Sequence, residues 1–182
     1  MRFDSRDLTS TAIFAALYVV INILELFVVG SPVFTYGPIQ LRVADALIAL
    51  AALFGWPVIG GVTLGCFVTN AYIFLGVPDV ILGPIANLVA ALIVMLLRKH
   101  RLFACVVGAL PIGVIVGGYL WMFFPKIDIF SALPAWAGMI TSITISSLIA
   151  VSVMGYILLS VLSRPQLLGP LKSRGLKTLG DG

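Results

Sequence analysis

Six apolar runs follow one another along this chain, most of them close to twenty residues long. A helix of about 20 apolar residues crosses the roughly 30 Å hydrocarbon core of a bilayer. The runs and their breakers predict six spans. The first covers Leu8–Val29 and stops at Gly30-Ser31-Pro32. The second, Ile39–Phe54, begins after Pro38 and is short enough to lie tilted inside the bundle or to cross only part of the membrane. Gly55-Trp56-Pro57 separates it from the third, Val58–Gly76. After the turn Val77-Pro78-Asp79 the fourth runs to Leu97, where Arg98-Lys99-His100-Arg101 ends it. The fifth, Leu102–Phe124, carries Pro111 as an expected kink. The loop Pro125–Leu133 leads to the sixth, Pro134–Leu162, and a polar tail from Ser163 is expected to be mobile.

These runs define an all-α membrane protein, a six-transmembrane-helix bundle. Its units are a transmembrane domain over residues 1–163 and a tail over 164–182. Composition excludes the alternatives. Of the 182 residues, 61% are apolar and 10% charged, against about 45–50% and 25% in soluble domains. A β-barrel needs short alternating segments. The net charge of +4 flanks apolar runs instead of lining a soluble face, so nucleic acid is not an expected partner. Cys66 and Cys105 lie in apolar runs and read as free packing residues. There is no second histidine beside His100, no phosphate loop and no nucleophile motif, so neither a metal site nor ATP hydrolysis by this chain is expected. No cofactor is implied. The first run is too long for a secretory leader and reads as a retained span.

Nine of the eleven Lys and Arg residues fall on one side of a six-span layout, leaving Arg42 and Lys126 on the other. The positive-inside rule then places both termini in the cytoplasm of a multi-pass cell-membrane protein.

Polar groups inside a membrane are costly, about 2.5–3.5 kcal/mol for a charge on insertion scales, and mark sites. Here they share one depth, toward the non-cytoplasmic side. Asn22 and Glu25 close the first span, and Gln40, Arg42 and Asp45 open the second. Asn70 ends the third, Asp79 and Asn87 belong to the start of the fourth, and Lys126 and Asp128 lie in the last outer loop. This layout suits an outward-facing ligand pocket. Plainer readings exist for each residue. Arg42 and Asp45 can be a structural ion pair one turn apart, Glu25 a wetted helix end, and Asp79 a helix cap. Asn70 and Asn87 can be interhelical hydrogen-bond glue.

Small-residue pairs form a second pattern: Ala12/Ala16, Gly61/Gly65 and Gly113/Gly117. Such pairs allow close helix approach, and packing within the bundle is their plainest use. At about 100° per residue, the alanine pair lies about 130° from Asn22 and Glu25. If the polar pair faces inward, the alanines face outward, as a docking surface would.

Together these residues resemble the substrate-binding (S) component of an energy-coupling factor (ECF) vitamin transporter. In that family an A-x-x-x-A on the first helix docks on a transmembrane coupling subunit, and Ala12 and Ala16 match it. Gly37-Pro38-Ile39-Gln40-Leu41-Arg42-Val43-Ala44-Asp45-Ala46-Leu47 is similar to the G-x-x-Q-x-R-x-x-[DE]-A-L signature of its queuosine-precursor (QueT-type) branch. Gly65…Asn70 and Asp79-Val80-Ile81-Leu82-Gly83 resemble that branch's later segments. The resemblance implies capture of a micronutrient outside the cell and docking on a coupling subunit driven by two cytoplasmic ATPases. It also implies toppling of the bundle to release the ligand inside. A 7-deazaguanine is the implied substrate, and larger vitamins such as cobalamin are carried by similar members. For a guanine-like edge, Glu25 or Asp45 would accept N–H groups, while Arg42, Gln40, Asn70 and Asn87 would donate. Asp79 completes the polar set, and Tyr36, Tyr72, Phe74 and Trp121 are candidate stacking groups. A stand-alone carrier and a small intramembrane enzyme are the competing classes.

Overall fold

A computed structural model describes residues 4–29, 39–124, 132–173 and 177–179. The first helix, α1 (Ser5–Val29), starts with two local side-chain hydrogen bonds. Asp4 Oδ1 accepts the Ser5 N–H, and Asp7 Oδ2 accepts the Asp4 N–H. Then come α2 (Val43–Phe54), α3 (Trp56–Ile73), α4 (Val77–Leu96), α5 (Arg101–Leu120), α6 (Ala135–Leu162) and α7 (Pro165–Ser173). Five of these helices, α1 and α3 to α6, are long and apolar enough to span a membrane, and the protein is a multi-pass membrane protein.

The second expected span departs most from expectation. It is helical only from Val43, and residues Val43–Leu50 form a 3-10 helix before one α-turn, Ala51–Phe54. At about 2.0 Å rise per 3-10 residue and 1.5 Å per α residue, α2 reaches about 22 Å, short of the hydrocarbon core. Every residue from Ala44 to Leu50 is buried. It is a core helix: α1, α3, α4 and α6 all pack on it. The others pack in the sequence α1–α3–α4–α5–α6 around it, and α2 bridges α6 to α1.

Two of the small-residue pairs make the close crossings. A Cβ at Gly65 would lie 2.7 Å from Tyr18 Cβ and 3.0 Å from the Ala15 carbonyl, and one at Gly61 would collide with Phe14. Gly113 and Gly117 take Thr144 and Ile140 of α6 in the same way. Ala12 and Ala16 instead stay exposed.

The tail makes specific contacts over its described part. Beyond the helix α7, the Leu179 N–H donates to the Leu53 carbonyl at 2.9 Å. Lys177 Nζ stands 3.1 Å from Asp7 Oδ2 and 3.8 Å from Asp4 Oδ2. These contacts, with Arg101 donating to Ser163 Oγ at 2.9 Å, bring the starts of α1 and α5, the end of α6 and the tail to one end of the bundle. The polar residues from Asn22 to Asp79 lie toward the opposite end.

Candidate functional site

Tyr18 organises the inner face of α1. Its hydroxyl donates to Asp45 Oδ1 at 2.6 Å and accepts from Asn87 Nδ2 at 2.9 Å, while Asn87 also reaches Asp45 Oδ1 at 3.4 Å. All three residues are buried, so α1, α2 and α4 are joined by a compact polar knot in an apolar surround. Asp45 takes these described hydrogen bonds from Tyr18 and Asn87 and not from Arg42, whose Nη1 lies 3.8 Å from Cys66 Sγ. The hydrogen-bond partners of Asp45 thus stand 27 and 42 residues distant in the sequence.

Glu25, half-buried near the end of α1, lies outside this knot. Both of its carboxylate oxygens accept the Val43 N–H, at 3.3 and 3.1 Å. A carboxylate there satisfies an orphan donor at the start of α2 and complements the helix dipole. One turn earlier, Asn22 is buried and donates to the Tyr18 carbonyl at 2.9 Å.

A second polar group joins α3, α4 and α5. Asn70 Nδ2 donates to the Asp79 carbonyl at 2.9 Å, and the Tyr119 hydroxyl donates to Asp79 Oδ1 at 2.7 Å. Asp79 is therefore not the cap of α4: that position belongs to Gly76, and the Asp79 side chain turns inward to α5. Gly83 permits this approach, because a Cβ there would collide with the Asn70 amide.

The buried polar atoms with no hydrogen-bond partner among the described residues include Asp79 Oδ2, Asn70 Oδ1 and Gln40 Nε2. Leaving such an atom unsatisfied costs about 1–3 kcal/mol, and each one in a folded protein calls for a reason. Gln40 is also held with φ +40°, a conformation that costs a non-glycine residue of order 1–3 kcal/mol and clusters at functional sites.

The structure thus draws Asn22, Gln40, Arg42, Asp45, Asn70, Asp79 and Asn87 into the interior and uses Glu25 at its margin. Trp121 is not gathered in. It is exposed, and its indole donates to the Gly118 carbonyl of its own helix at 2.9 Å. Tyr72 and Phe74 are exposed too, whereas Tyr36, Lys126 and Asp128 lie outside the described residues. Sequence reasoning missed Tyr18, Tyr119 and the neighbourhood of Cys66. Tyr18 carried a signal, standing four residues before Asn22 on one helix face. Tyr119 continues the buried Ile112, Val116 spacing on α5. Among the described residues no group of three or more His, Cys, Asp or Glu side chains is placed to hold a metal ion.

The family model described as QueT transporter matches residues 8–164, which takes in every residue of this region. The chain belongs to the QueT transporter family. QueT family members are transporters, which sets aside the intramembrane enzyme. A curated relative, the "Queuosine precursor transporter QueT" of Lactococcus lactis subsp. cremoris (strain MG1363), is 40% identical over 83 residues. That match covers 46% of this chain and 46% of the relative, so it spans about half of each. No solved structure gives a significant match.

Proposed function

We propose that this protein is the membrane-embedded substrate-binding component of an ECF-type importer and captures a queuosine precursor of the 7-deazaguanine type. The observation that carries the substrate is the set of unsatisfied atoms. Asp79 Oδ2 and Asn70 Oδ1 are acceptors, and Gln40 Nε2 is a donor. A guanine-like edge offers the converse: an exocyclic amine and N1–H as donors and O6 as acceptor. An edge that met all three atoms would remove three desolvation penalties at once. The carboxylate that reads it is Asp79, since both Glu25 oxygens and the described contacts of Asp45 serve the protein itself. The name of the Lactococcus relative supports the same substrate class.

Orientation follows from charge. Arg6, Arg98, Lys99, Arg101, Arg164, Lys172 and Lys177 belong to the end where α1 begins and α6 finishes, so that end is cytoplasmic and the polar region lies toward the outside. The unit that does this is residues 1–163, with 164–182 as a cytoplasmic tail. Coupling falls to Ala12 and Ala16, a flat exposed strip on α1 where the helices of a coupling subunit can approach closely, with two cytoplasmic ATPases supplying energy.

The test is equilibrium binding to the purified protein. 7-Deazaguanine should bind at least about tenfold more tightly than 7-deazaadenine, which reverses two of the three hydrogen-bonding groups. Equal affinity for the two bases would overturn the substrate assignment.

A further inference from the structure

We infer that the terminal end of the bundle holds a second site, for a phosphate-bearing anion, independent of the polar region above. A cavity of about 400 Å³ opens there between the α4–α5 turn, the end of α2, and α7. Arg98, Lys99 and Arg101 line it from the turn and Lys172 from α7, beside apolar Leu53 and Leu168. No carboxylate lines it among the described residues. The tail forms the remaining wall. Thr178 is buried and lines the cavity with Leu179, whose N–H is held by the Leu53 carbonyl.

Three cations within four residues repel one another, and a recess screens that repulsion less than open water does. An anion bound between them converts the repulsion into attraction. Guanidinium groups match phosphate oxygens in bidentate geometry, and lysine adds a point charge. The hydrogen bond from Arg101 to Ser163 fixes one of the two guanidinium groups. The cavity sits where the apolar spans α4, α5 and α6 end, at the depth of lipid headgroups, and basic pockets between transmembrane helices on the cytoplasmic side take acidic headgroups. The apolar wall suits the glycerol and first acyl carbons of a phospholipid, whereas free phosphate uses the basic wall alone. Lys172, Thr178 and Leu179 lie beyond residue 164, where the family match ends, so this chain's own tail completes the site.

The test reads the melting temperature of the full chain in a nonionic detergent against three probes: short-chain phosphatidylglycerol, short-chain phosphatidylcholine and inorganic phosphate. Phosphatidylglycerol should raise it by several degrees and phosphatidylcholine should not. Arg98→Gln with Lys99→Gln should remove at least two thirds of the rise while leaving the probe-free melting temperature unchanged, because both side chains are exposed. Should that pair fail to fold, Lys99→Gln alone is read in the same way, with about half of the rise lost. A rise with phosphate that the variant also loses supports the site and names the free anion as its source. The inference is overturned by no rise with any probe, by an equal rise with phosphatidylcholine, or by a rise that the variants keep.

Discussion

Helix α1 presents two faces that share a backbone and almost nothing else. On one, Tyr18, Asn22 and Glu25 are each hydrogen-bonded, and Tyr18 and Glu25 reach α2 and α4. On the other, Ala12 and Ala16 are exposed between exposed Ile13, Leu17 and Val20. A third strip, around Phe14, Ala15 and Tyr18, is pinned by the glycines of α3. The comparison separates two uses of small residues. Glycines at four-residue spacing serve crossings inside the bundle, and alanines at the same spacing stay exposed on its surface. On the function proposed above, the two faces would divide two tasks, holding a ligand region together and meeting a partner.

Three substitutions on α1 put that separation under strain. The largest effect belongs to Ala16→Trp. Uptake by cells should fall to background while the purified protein keeps ligand affinity within about twofold, because a surface change away from packed features alters stability by about 0.5 kcal/mol or less. A parallel loss of binding would mean that both faces serve the ligand. Next comes Tyr18→Phe, which strips Asp45 and Asn87 of a shared partner. Affinity should drop about tenfold, and stability should fall by about 1–2 kcal/mol, read as the binding constant and the melting temperature. If neither moves, the knot carries no weight. The smallest effect is that of Glu25→Gln, which weakens the cap on α2. It should cost about 0.3–1 kcal/mol of stability and change affinity by less than about threefold. A larger loss of affinity would return Glu25 to the list of ligand contacts.

The spans were legible because burial in lipid demands long apolar runs, and the breakers between them are Gly, Pro and basic clusters that local chemistry alone explains. The 3-10 geometry of α2 was not. A run of Val, Ala, Leu and Ile suits either helix, and the choice is made by the four helices packed around it. The same holds for α7, whose prolines and glycine read as loop. Within the site, residue types and depth were legible, but pairings were not. Arg42 and Asp45 stand at ion-pair spacing, and Pro78-Asp79 looks like a cap, yet Tyr18 and Tyr119 arrive from distant helices and redirect both carboxylates. Trp121 stays exposed, and its role was not legible because interface aromatics and ligand-stacking aromatics share one sequence signature.

The central claim is that Asp79 reads the donor edge of the ligand. A double cycle tests it directly, measuring dissociation constants of 7-deazaguanine and 7-deazahypoxanthine, which lacks the exocyclic amine, for the unaltered protein and for Asp79→Asn. The unaltered protein should lose about tenfold or more in affinity when the amine is absent, and Asp79→Asn should lose at least threefold less, because its acceptor is already weakened. Equal losses in both proteins would show that Asp79 does not meet the amine, and the assignment of the site would fail.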